Sequence, residues 1–118
     1  MQRKLIIPRG DTGTFSLPIN ETIASGDIAL FVIFNPLTQS TLFNKIISLD
    51  AGATTLNIEF SYNDTIDLTP GHYRWDVKIY HEPEYDEEDI LIGAAQVNSY
   101  YASYSLPPCE IREGGGIQ

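Results

Sequence analysis

Apolar and polar residues alternate along this chain in short runs separated by turn formers. The clearest run follows Pro70-Gly71, where Tyr73, Trp75, Val77 and Ile79 fall on one side and His72, Arg74, Asp76 and Lys78 on the other. A period of two sends successive side chains to opposite faces, so His72 to Tyr80 is predicted as a half-buried β-strand. Thr54 to Phe60 alternates in the same way, with Leu56, Ile58 and Phe60 on the apolar side. Thr12 to Ile19 places Phe15, Leu17 and Ile19 on one face. Ile28 to Phe34 is apolar on both faces, which predicts a central strand or one covered on its outer side. Lys4 to Ile7, Leu42 to Leu49 and Ile90 to Val97 complete the set. Asn44 and Lys45 interrupt the second of these, and Leu91, Gly93, Ala95 and Val97 are expected on the inner face of the third. Pro8-Arg9-Gly10-Asp11, Asn35-Pro36 and Asp50-Ala51-Gly52 supply the turns, and Asn20 to Asp27 reads as a connection.

About seven short strands with turns between them and no helical period predict an all-β antiparallel sandwich. The spacing Asp67, Gly71, Tyr73 resembles a tyrosine corner, in which a Tyr near the start of a late strand bonds back to the chain upstream. That favours an immunoglobulin-like sandwich over a closed barrel. The expected core is Phe15, Leu17, Leu30, Val32, Leu56, Ile58, Phe60, Tyr73, Trp75, Val77 and Ile79. The sandwich is expected over residues 1–98 and an extended C-terminal arm over 99–118. In the arm, Tyr100, Tyr101 and Tyr104 precede Pro107 and Pro108, and Gly114 to Gly116 close it. Tyrosines offer large amphipathic contact area, and two prolines hold a backbone extended. These five Tyr and Pro residues are therefore the candidate partner-binding residues. The alternative is that the tyrosines shield an edge of their own sandwich.

Charge narrows the partners. The chain has 118 residues, a size for one domain, and a formal net charge of −9. Such a surface is repelled by nucleic acid and by anionic membranes, so neither is an expected partner. Its single cysteine, Cys109, leaves no intrachain disulfide. Met1 to Pro8 holds only three apolar residues before the proline, too few for a signal-peptide core, and no run reaches membrane-span length.

Candidate chemistry is sparse. Glu82 to Asp89 carries six carboxylates in eight residues, without the spacing or the glycine of an EF-hand, and is expected to be a solvated, self-repelling loop without bound metal. Arg9-Gly10-Asp11 matches an integrin tripeptide but reads as a turn between strands. Asn20-Glu21-Thr22 and Asn63-Asp64-Thr65 match the glycosylation sequon by chance. Asp11-Thr12-Gly13 matches an aspartic-protease triplet without the rest of that pattern. His72 lies on a polar strand face, and His81 lacks the second His of a zinc helix. No serine sits in a nucleophile elbow, and Cys109 has no neighbouring His. The expectation is a non-enzymatic chain with no catalytic residue, no cofactor and no metal site.

Arg9-Gly10-Asp11-Thr12 with Phe15-Ser16-Leu17, taken together with Asp67-Leu68-Thr69-Pro70-Gly71-His72-Tyr73-Arg74-Trp75-Asp76-Val77, resembles small bacteriophage structural domains. It is most similar to the N-terminal domain of phage baseplate upper proteins, over roughly residues 4–97. The resemblance implies a virion structural protein at a tail, baseplate or head-decorating position. It implies contacts with other virion proteins, homo-oligomers in the particle, and assembly in the bacterial cytoplasm. The other class that the residues admit is a carbohydrate- or host-surface-binding module with exposed Tyr or Trp stacked on sugars. The burial of Trp75 separates the two, and Trp75 is expected in the core.

Overall fold

In the computed structural model, which describes residues 4–99 and 106–113, the chain is an all-β sandwich of two sheets. Its strands are β1 (Leu5–Pro8), β2 (Gly13–Pro18), β3 (Ile28–Phe34), β4 (Thr41–Ser48), β5 (Thr55–Phe60), β6 (Gly71–Tyr85), β7 (Leu91–Ser99) and β8 (Pro108–Arg112). A single helical turn, α1 (Tyr62–Thr65), carries a capping box made by Ser61 and Asp64. The large sheet runs β1-β8-β6-β3-β4, with β7 also on β6, and β2 pairs with β5 in the small one. All pairs are antiparallel except β1 with β8. In immunoglobulin domains the strands C, F and G share one sheet and B and E the other; here β3, β6 and β8 share one and β2 and β5 the other.

Alternation builds the core. Register sets Trp75 beside Ile33, Val77 beside Phe31 and Ile79 beside Ala29, all facing β2 and β5. From the small sheet Phe15, Leu17, Leu56, Ile58 and Phe60 meet them. Phe15 stands edge-on to Trp75 with ring centroids 5.1 Å apart, and Phe31 packs against Phe60 at 5.7 Å. Such edge contacts between rings add to the burial of the rings themselves. Trp75 is 0% exposed. The expected tyrosine corner is present: the Tyr73 hydroxyl donates to the Thr69 carbonyl at 2.8 Å. Lys45, which broke the pattern of its strand, carries its ammonium out to Asp64 at 3.1 Å and to the Glu59 carbonyl.

Four expectations need correction. Leu30 and Val32 do not face the core; Ala29, Phe31 and Ile33 do. In β7 the parity is also reversed. The pairs Ile79–Asn98 and His81–Gln96 put Asn98 and Gln96 on the core side, and Tyr80–Val97 puts Gly93, Ala95 and Val97 on the other, while Leu91 lies beyond a register shift. Glu82 to Asp89 is not an unpaired loop. β6 runs on to Tyr85, and the turn is closed by the Asp86 carboxylate, which accepts from the amides of Glu88 at 2.8 Å and Ile90 at 2.9 Å. This Asx-type closure fixes the turn despite its charge.

The fourth correction concerns the arm. Pro108 to Arg112 is β8, which enters the large sheet between β1 and β6. Cys109 and Ile111 point into the core, and Glu110 bonds Lys4 and Arg112 across the outer side. Pro107 is buried and its carbonyl accepts from the Trp75 amide at 3.1 Å. A proline at the first residue of a strand costs no ladder bond. Pro107 and Pro108 therefore belong to the sandwich, which extends beyond residue 98. Tyr100, Tyr101 and Tyr104 lie outside the described residues.

Burial also settles the chemistry of Cys109. Desolvation, with a smaller push from Glu110, raises its thiol to about 12. The thiolate is the reactive form, so a maleimide at mildly alkaline pH should leave the native protein unlabelled and modify it fully in denaturant. Immediate labelling of the native state would contradict this placement.

Candidate functional site

The large sheet has a second apolar face. Leu30, Val32 and Phe34 on β3 and Ile46 on β4 point away from the core, where a one-sided antiparallel sheet would carry polar groups. The β6–β7 hairpin curls over this face. Its far end, Asp89, Ile90 and Leu91, stands across from Leu30, Val32 and Ile46 over a cavity of about 490 Å³. An adjoining chamber of about 350 Å³ shares Leu30, Val32 and Thr41 and is completed by Asp76, Lys78 and Leu106. The result is an open cleft with aliphatic walls. Ile46 is 50% exposed and Ile90 55%, so the apolar surface faces solvent. Asp89 of the hairpin turn lines its rim.

The hairpin hangs on a polar cluster at its base. Glu82, where β6 leaves the sandwich, has a left-handed φ of 52°. A non-glycine residue holds that conformation only when its surroundings impose it. Here the Glu82 amide donates to Asp27 Oδ1 at 3.1 Å. The other oxygen of Asp27 accepts from the Ala24 amide at 2.9 Å and from His81 Nδ1 at 2.7 Å. His81 Nε2 contacts Glu21, whose same oxygen accepts from Asn98 Nδ2 at 2.8 Å. The cluster thus ties both strands of the hairpin to the connection before β3.

Electrostatics follow from these contacts. Hydrogen bonds that its ring donates to Glu21 and Asp27 raise the His81 pKa, against burial. Asp27 is 2% exposed, and burial alone would raise its carboxyl. The amides of Ala24 and Glu82 and the imidazolium outweigh burial and lower it. While the imidazole is charged, both ring nitrogens of His81 donate to carboxylates and neither offers a lone pair to act as a general base. The two carboxylates sit at opposite edges of the ring and cannot converge on one ion. Among the described residues no group of three His, Cys, Asp or Glu side chains is placed to hold a metal.

The other sequence-level candidates fall elsewhere. The Arg9-Gly10-Asp11 turn is pinned at the Arg9 side chain and the Asp11 backbone, while Asp11 itself is exposed. Arg9 Nε donates to the Ile66 carbonyl at 2.8 Å, and the Asp11 carbonyl accepts from the Thr65 hydroxyl at 2.8 Å. Gly10 is required there, since its φ is +83° and a Cβ would stand 3.2 Å from Ile66 Cδ1. Trp75 presents no face for a sugar. His72 is exposed beside Glu110 across β8. A further cavity of about 300 Å³ opens between the edges of β1 and β2, walled mainly by apolar side chains such as Ile7, Phe15 and Phe60. Sequence reasoning missed Glu21, Asp27 and Asn98 because they lie 60, 54 and, from Glu21, 77 positions from their partners. Asp76 was legible only as a polar-face residue. No helix among the described residues is long and apolar enough to cross a membrane. No protein-family model, no curated protein and no solved structure matches the chain.

Proposed function

We propose that this chain is a non-enzymatic structural module of a bacteriophage virion that works by docking on other virion proteins, copies of itself included, through the cleft beneath the β6–β7 hairpin. One observation carries the docking half of this reading. The outer face of the large sheet carries exposed Ile46 beside half-buried Leu30 and Val32, and a hairpin shapes them into a concavity. Contiguous exposed apolar surface of this kind marks an interaction site. The virion half rests on the resemblance of the segments Arg9–Leu17 and Asp67–Val77 to phage structural domains. The strongly acidic surface supports protein partners over nucleic acid or membrane. The bonding of His81 and the burial of Cys109 leave both without the lone pair or thiolate that catalysis needs, which supports a non-enzymatic role.

Sedimentation of the native chain over a concentration series tests the docking half, beside a variant carrying Ile46→Lys and Ile90→Lys. The native chain should associate, and the variant should remain monomeric. Its melting temperature should be nearly unchanged, because exposed substitutions shift stability by only about 0.5 kcal/mol. A native chain that stays monomeric at every soluble concentration would overturn docking on itself. Particles purified from lysed cells that carry the gene should contain the chain at a fixed copy number, and its absence from them would overturn the virion assignment.

A further inference from the structure

Asp76 stands out within the cleft. It sits on β6 directly opposite Val32 in the β3–β6 register and lines the chamber formed by Leu30, Val32, Phe34, Lys78 and Leu106. Its residue is 9% exposed. One oxygen, Oδ1, accepts from the Val77 amide at 2.8 Å. The other has no hydrogen-bond donor among the described residues, and none of the ion pairs among them includes Asp76. Desolvation raises its pKa; the Val77 amide and the charge of Lys78 offset this only in part. The carboxylate is thus largely withdrawn from water with no ion pair of its own among the described residues, its free oxygen turned to a chamber whose walls are Leu30, Val32, Phe34 and Leu106 with Gln39, Thr41 and Lys78, and partial desolvation of a charge is costly.

We propose that this chamber receives the side chain of an arginine or lysine from a partner protein, with its cationic head on the free oxygen of Asp76 and its methylene stem along Leu30, Val32 and Leu106. The chemistry matches on both counts. The head gives the carboxylate the charge-assisted bond it lacks. The stem lies against apolar walls, as long cationic side chains do wherever they cross such surface. The acidic hairpin above the cleft adds attraction for a basic partner at longer range. Lys78 lines the same chamber and its charge opposes a second cation, so the bond to the Asp76 oxygen has to outweigh that repulsion. The inference names the partner chemistry for the docking reading above and rests on it.

The test uses N-acetyl-arginine amide and its neutral isostere N-acetyl-citrulline amide, each titrated into the isotope-labelled full chain and followed by amide chemical shifts. The arginine compound should give saturable shifts at Leu30, Val32, Asp76, Val77 and Lys78. The citrulline compound should bind roughly tenfold more weakly or worse, the factor expected for loss of a charge-assisted bond. Asp76→Asn should remove that preference. Val32→Lys places a cation across from Asp76 within the chain and should abolish binding of the arginine compound, which keeps the test decisive if the Asp76 variant does not fold. Equal shifts from the two compounds, a preference for arginine that survives in folded Asp76→Asn, or arginine shifts that survive in folded Val32→Lys, would overturn the site. So would shifts confined to Glu84 through Glu88, which would mark attraction to the acidic turn alone. A chain that takes the arginine compound yet never associates keeps this site and loses docking on itself. A chain that associates but ignores the compound does the reverse.

Discussion

Trp75→Ala should destabilise the protein by about 3–5 kcal/mol, the range for removing a large buried aromatic side chain. The indole joins Phe15 from the small sheet to Phe31 from the large one, so its loss opens a cavity at the seam rather than at an edge. The rings around it are held by their own strands and cannot close the gap by moving one side chain. Domains of this size have about 5–15 kcal/mol of total stability, so the variant should lose roughly a fifth of it or more. Urea titration of the folded state by circular dichroism measures the effect. Trp75→Phe keeps an aromatic plane against Phe15 and should cost less than the alanine change. A loss under about 1 kcal/mol for the alanine variant, the scale of a peripheral site, would show that Trp75 does not sit at the seam.

The second large effect belongs to the cluster at the base of the hairpin. Asp27→Ala removes the acceptor of the Ala24 and Glu82 amides and leaves His81 facing Glu21 alone. Breaking a buried pair by deleting one partner costs about 3–5 kcal/mol. The same cluster makes stability depend on pH, with a sign that can be worked out. The folded pKa of His81 is raised above 6.5, so its contribution is complete below that value and is lost as pH rises through the folded pKa. The folded pKa of Asp27 is lowered below 3.8, so its contribution is complete above that value and is lost as pH falls through the folded pKa. Both are in full between about pH 4 and pH 6.5. Melting temperatures over a pH series should therefore fall on the alkaline side of that window. His81→Gln, which cannot be charged, should flatten the alkaline decline. A native profile that rises through neutral pH would mean that the imidazolium is not what holds the two carboxylates.

Most of the strands could be read from period two, because β2, β5 and β6 bury one face and wet the other. β3 could be located but not oriented. Both of its faces are apolar, and only pairing with β6 decides that Ala29, Phe31 and Ile33 turn inward. The same ambiguity hid the cleft, since Leu30 and Val32 looked like core. β8 carries its own alternation, Cys109 and Ile111 against Glu110 and Arg112, but it is five residues long, begins with a proline and follows another, and so resembles a linker. In the acidic segment the charge pattern masked a turn that Asp86 closes through its own side chain. Asp76 sits where polar residues belong, on the solvent side of its strand, and its burial comes from its position in the chamber beside Leu106. The Glu21–His81–Asp27 cluster joins segments more than fifty positions apart, and a local pattern contains no trace of it.

The placement of β8 has a kinetic consequence. Leu5 pairs with Cys109 and Ile7 with Ile111, so the first strand lies in the sheet only by way of the last. Until residue 112 has been made, β1 has no partner, and one edge of β6 from Gly71 to Arg74 stays open. Closing a loop of that length precedes any reward from the contacts it brings, which places this chain among slow-folding, high-contact-order topologies. A nascent or truncated chain that ends before β8 carries an unpaired β6 edge and a half-covered Trp75. Such an intermediate is prone to join another chain edge to edge, so closure of the sheet by β8 competes with aggregation.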